Sequence, residues 1–152
     1  MQILLLTPAG NIYHVLTGYV GPDELLQELR FAQTAFTALQ QDPKRPAQTV
    51  RTAHRTFLNQ AGFSDEQIES ARGVLPAGLD AILSGAALAN GDPREVVAAL
   101  ERGQTLEDHR WAMDHALLPI REFNPESLVG SGQSFFGSTA DGVPQRHIGG
   151  RR

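Results

Sequence analysis

The apolar positions of this chain change their period as it proceeds. Ile3 to Leu6 form a continuous apolar run, closed by Thr7-Pro8-Ala9-Gly10-Asn11. A short unbroken run ending in turn residues predicts a strand covered on both faces. Ile12-Tyr13-His14-Val15-Leu16-Thr17 follows, rich in β-branched and aromatic residues, and stops at Gly18. Two such runs across a Pro/Gly/Asn loop predict an antiparallel hairpin. Pro22 then stands where the first residue of a helix belongs, and Asp23 and Glu24 place negative charge at the positive end of its dipole. Leu25, Leu29, Ala32, Phe36 and Leu39 recur at alternating steps of four and three, one apolar stripe on a helix reaching Gln41.

Asp42-Pro43-Lys44-Arg45-Pro46 carries two prolines and reads as a linker, because proline forbids helix continuity. Val50, Ala53, Phe57 and Leu58 mark the next amphipathic helix, ended by Gly62. Ser64-Asp65-Glu66-Gln67 is a capping box. Leu79, Ile82, Leu83 and Ala86 predict a further helix. Asp92-Pro93-Arg94-Glu95 opens another, carried by Val96, Val97 and Leu100 and stopped at Gly103. Thr105 opens the last, through Leu118, with Pro119 closing it. No fixed period links these starts, which argues against a solenoid. The expected organisation is a β-β-α unit over 1–41, a linker over 42–46, a helical region over 47–120 and a Gly-rich, partly ordered tail over 121–152. The fold class is α+β.

At 152 residues the chain has the size of one ordinary domain, and 41% hydrophobic with 20% charged residues is usual for a globular protein. A net charge of -4 argues against a general polyanion binder, so nucleic acid is not an expected partner. No segment approaches the run of roughly 20 apolar residues that spans a bilayer. Met1-Gln2-Ile3-Leu4-Leu5-Leu6 has no basic lead and no Ala-x-Ala site, so it reads poorly as a signal peptide and the cytoplasm is the expected compartment. The absence of cysteine removes disulfides, thiolate metal sites and thiol nucleophiles together.

Leu4-Leu5-Leu6-Thr7-Pro8-Ala9-Gly10-Asn11-Ile12-Tyr13-His14-Val15-Leu16-Thr17-Gly18-Tyr19, followed by Pro22-Asp23-Glu24-Leu25-Leu26, resembles the closing half of a thioredoxin-like domain. There a strand, a Pro-x-Gly-type turn, a second strand ending in Gly and a final helix follow one another. The resemblance covers about a quarter of the chain. It implies that the family's Cys-x-x-Cys half would lie before Met1. The family's cis-proline precedes the strand that Ile3–Leu6 resembles, and this chain has no proline there; Pro8 comes after it. No functional residue of the family maps onto this sequence, and thiol–disulfide exchange needs a thiolate.

Asp108, His109, Asp114 and His115 are the densest group of acid–base or metal-ligating residues. On a helix His109 and His115 stand roughly 120° apart, so they share no face. The expectation is a solvated helix face with no metal. Lys44, Arg45, Arg51, His54 and Arg55 form a basic cluster, in which Arg51 and Arg55 lie on one helix face and are candidates to grip an anionic partner. His14 reads as a core histidine with a satisfied ring, and Trp111 as helix packing. Ser131-Gly132-Gln133-Ser134-Phe135-Phe136-Gly137 has neither nucleophile-elbow nor P-loop spacing. Phe135 and Phe136 are candidate partner contacts of a docking motif.

The function expected is therefore a non-catalytic interaction or scaffold protein of thioredoxin-like type, with no catalytic residue and no cofactor. The alternative is a fragment of a thioredoxin-family oxidoreductase whose cysteine-bearing half lies elsewhere. A strand such as Ile3–Leu6 that lacks its second neighbour is prone to association, so a homodimer or a protein partner through the first strand is expected.

Overall fold

A computed structural model describes residues 2–18, 20–70 and 93–125. The chain is α+β. Strand β1 (Gln2–Leu6) pairs antiparallel with β2 (Asn11–Thr17), from Gln2↔Thr17 to Leu5↔His14, with a bulge between Leu5 and Leu6. Gly10 closes the turn at φ 79°, a conformation that costs glycine little. Helix α1 (Pro22–Gln41) begins with Pro22 in its first turn. It is followed by α2 (Pro46–Gln60), α3 (Asp65–Ser70) and α4 (Pro93–Asp114). The Ser64 capping box forms as expected: the Ser64 amide donates to Gln67 Oε1 at 2.9 Å and the Gln67 amide to Ser64 Oγ at 3.2 Å.

The chain's second half departs from the expected pattern. The stop at Gly103 and restart at Thr105 do not occur; α4 runs through both, and Gly103 is buried within it. Thr105 donates its hydroxyl to the Glu101 carbonyl at 3.1 Å, as a mid-helix threonine does, and caps nothing. A helical glycine costs about 1 kcal/mol. Burying Leu106, Trp111, Ala112 and Met113 along the same helix outweighs that, at roughly 1.5–3 kcal/mol for each large apolar side chain.

Nor does the last helix reach Leu118. It ends at Asp114, Leu117 turns at φ 63°, and Leu118–Pro119 form β3 against Asn11 and Ile12 of β2. Pro119, without an N–H, sits on the edge strand where proline is tolerated. The sheet order is β1-β2-β3, so β2 is central and β1 is an edge among the described residues. Of the tail, 121–125 are described, with Phe123 packed on Trp111. The helix expected at Leu79–Ala86 and the docking candidates Phe135 and Phe136 lie outside the described residues.

The core gathers in three groups, two of them built on β2. Tyr13 packs with Phe31, Ala32, Ala35 and Leu39 of α1 and Val50 of α2. Ile12 and Val15 pack with Trp111 and Ala112 of α4. Leu58 and Phe63 pack with Ile68, Leu106 and Met113. The buried face of α1 keeps Ala32 and Leu39 of the predicted stripe and adds Glu28, Phe31 and Ala35. Leu29 is exposed at 45%, while Glu28 is buried at 3%. A carboxylate has replaced a leucine in the core, and the reason lies in what it meets there.

Candidate functional site

Glu28 meets two histidines directly, His14 and His109, and a third, His54, stands behind His109. His14 comes from β2, His54 from α2 and His109 from α4, and all three are 0% exposed. Two sequence expectations are corrected here. His54 is no part of a basic surface cluster, and Asp108 and His109 are no solvated face, since Asp108 is 3% exposed. Packing of α2 and α4 on β2 turns these polar positions inward. Phe31 and Phe57 wall the cluster, and the Phe57 ring stacks on His109 with centroids 4.4 Å apart. Beyond those two rings lies an open groove of about 830 Å³ between α1 and α2, bordered by Arg30, Thr34, Arg45 and Gln60.

One ring nitrogen from each of His14, His54 and His109 lies within 4.8 Å of the others. Glu28 Oε2 lies 2.8 Å from His14 Nε2 and 3.1 Å from His109 Nε2, and Oε1 lies 3.4 Å from the latter. On the far side of His109, its Nδ1 is 2.8 Å from His54 Nδ1. His54 Nε2 is 2.9 Å from the Tyr13 carbonyl.

These contacts fix the hydrogens in sequence. The Tyr13 carbonyl can only accept, so His54 Nε2 carries a hydrogen and donates. Burial first, then the nearby His109 and His14, hold the His54 ring well below its ordinary range, so it is neutral with a bare Nδ1. His109 Nδ1 must then be the donor between the two rings. A neutral His109 is left with a bare Nε2 that faces the carboxylate oxygens of Glu28, lone pairs against lone pairs. Either a hydrogen on His109 Nε2, making the ring an imidazolium, or a cation has to stand between them.

Burial works to raise the Glu28 carboxyl, but the rings of His109 and His14 facing it overcome that and hold it down at about 2. Burial lowers His109 to about 4, with His14 adding to the effect and Glu28 opposing it. His14 is engaged through Nε2, 2.8 Å from Glu28, and its Nδ1 is buried without a partner, so the expected satisfied ring is only half satisfied. One orphaned buried group of this kind costs about 1–3 kcal/mol.

Beside the cluster, Asp108 accepts from the Thr17 amide at 2.8 Å and from the Thr17 hydroxyl at 2.6 Å, tying the end of β2 to α4. The remaining sequence candidates lie elsewhere. Arg51 Nε donates to the Met113 carbonyl at 3.2 Å, and Arg55 pairs with Asp65 at 3.2 Å and Glu69 at 2.5 Å. Trp111 is buried and stacks on His115, as packing predicts. Within its own helix, His109 has no metal-ligating neighbour at the spacing of three or four residues that sequence reading seeks. Its partners stand on three other elements, and the one local signal was the apolar setting of His14 in its strand.

The fold and site define an α+β protein with a His–Glu cluster sealed in its core. Comparison of the chain with protein-family models, curated proteins and solved structures found no match. Among the described residues no helix is long and apolar enough to cross a membrane.

Proposed function

We propose that this chain is a non-catalytic interaction or scaffold protein of thioredoxin-like type that associates with a second copy of itself along β1. The observation that carries the reading is the position of β1 at the edge of the sheet, paired on one side only among the described residues. Its sequence is Gln-Ile-Leu-Leu-Leu, and Leu6 is 41% exposed. Free amides and carbonyls on an apolar edge are a template for another strand, and the main-chain bonds of strand addition supply affinity.

The setting of the titratable residues supports the same reading. Catalysis needs acid–base groups that a substrate can touch. His14, His54, His109, Glu28 and Asp108 are each at most 3% exposed. The order β1, β2, α1 is also the order that a thioredoxin-like closing half would have, without its cysteines.

Light scattering at high micromolar concentration tests the proposal. The expected result is a dimer mass for the wild type and a monomer for Leu5→Pro, since proline removes a ladder donor. Circular dichroism checks that the variant keeps its helices. A folded wild type that stays monomeric would show that the edge is managed within one chain, and would end this reading.

A further inference from the structure

The cluster that the interaction reading leaves unused has the composition of a metal centre. We propose that the chain binds one divalent transition-metal ion, of the zinc class, between His14 Nε2, His109 Nε2 and the Glu28 carboxylate, with His54 as the residue that positions His109.

Three donor groups converge there, one from each of three elements. Ligands at zinc's usual bond lengths and the tetrahedral angle stand ~3.3 Å apart. His14 Nε2 and His109 Nε2 stand 2.8 Å and 3.1 Å from Glu28 Oε2, a little inside that value. Two imidazoles and a carboxylate also suit zinc, whereas calcium and magnesium demand oxygen ligands throughout.

The hydrogen pattern agrees. An ion on His109 Nε2 fills the gap between two facing lone pairs. It fixes His109 in the tautomer that donates from Nδ1 to His54, and His54 in turn donates from Nε2 to the Tyr13 carbonyl. This is the outer arrangement that orients metal-ligating histidines, in which the second ring nitrogen is held by its own acceptor. His14 Nδ1 would then carry an unpartnered hydrogen, a cost well below what a buried structural ion returns.

Complete burial gives the ion's role. A catalytic metal keeps a coordination position open to substrate, and a structural one is closed. Here every donor residue is at most 3% exposed. The ion would pin β2, α1 and α4 to one another, and explains why a glutamate holds a core position on α1.

The test uses the full chain, freed of any histidine tag and purified without chelator or metal resin, with zinc and cobalt as probes. Metal content and thermal midpoint are measured as isolated, after dialysis against chelator, and after zinc is returned. The expected result is about one ion per chain, bound as isolated or on adding stoichiometric zinc. The midpoint should fall by several degrees with chelator and recover with zinc. Cobalt in place of zinc should give the visible absorption bands of a protein-bound ion. Glu28→Gln, which keeps the shape and removes the charge, should weaken zinc binding by more than roughly 100-fold. His54→Gln should weaken it by only about 10- to 100-fold, as loss of an orienting residue does. If Glu28→Gln fails to fold, the wild-type cobalt spectrum decides. A chain that holds no metal, takes up neither zinc nor cobalt and keeps its midpoint in chelator would overturn the proposal and assign the gap to a proton on His109. Neither result bears on the oligomeric state, which light scattering reads separately.

Discussion

Thr17 and Asp108, 91 positions apart in sequence, are joined twice at the end of β2, amide to Oδ2 at 2.8 Å and hydroxyl to Oδ1 at 2.6 Å. Gln104 Nε2 adds a third donor to Oδ1 at 2.9 Å. These bonds favour the ionised form, yet burial outweighs them and pushes the carboxyl up to about 7. The pairing is therefore purchased against the cost of a buried charge, and that cost depends on pH.

A carboxyl raised on folding binds its proton more tightly in the native state than in the unfolded one. Its stabilising contribution is full below roughly pH 4 and is lost as pH rises through about 7. Asp108→Asn abolishes this titration. The unfolding free energy of the wild type minus that of the variant should therefore fall between about pH 4 and pH 8, by on the order of 4 kcal/mol at most. Urea melts at stepped pH measure it, and a flat difference would contradict the assignment.

Gly62 ends α2 at φ 90°, and a Cβ there would stand 3.4 Å from Arg102 Nη2. Arg102 donates to the Ala61 carbonyl at 3.0 Å and lies 4.2 Å over the Phe63 ring. Gly62→Ala should cost about 1–2 kcal/mol, chiefly from the left-handed backbone. A thermal midpoint equal to that of the wild type would show that the loop relaxes.

Ser64→Ala breaks one arm of the capping box on α3, a helix of 6 residues with little stability of its own. Ile68, 0% exposed, holds this helix to the core group of Leu58 and Leu106. The expected loss is about 1 kcal/mol, the usual value for a serine cap. Hydrogen exchange at the amides of α3 should rise before exchange in α2 does, and equal rises in both would argue against a local effect.

The chain has no cysteine, and no other side chain replaces a thiolate in disulfide exchange. Insulin should therefore show no faster reduction by dithiothreitol with the purified chain than without it. Turnover above the reductant alone would refute the expectation.

What could be read from sequence alone was whatever neighbours in the chain decide. The hairpin follows from two apolar runs around Thr7–Asn11, and α1 from Pro22, Asp23 and Glu24 at its start. Ser64 and Gln67 bonded as their spacing requires, because a capping box closes within four residues. Such signals act over one turn, where propensity and capping outweigh everything distant.

Tertiary packing decided the rest. Periodicity placed Leu29 inside and gave Glu28 no role, because a hydrophobic stripe records greasiness and not which partner waits across the core. His14 and His109 wait there, their ring nitrogens 2.8 Å and 3.1 Å from the Glu28 carboxylate. Gly103 and Thr105 read locally as a break, yet the apolar residues that follow hold α4 together across them. His54 and His109 carry the same local signature as solvated histidines. Only the crossing of α2 and α4 over β2 brings their Nδ1 atoms to 2.8 Å, and no pattern along one helix encodes a distance between two.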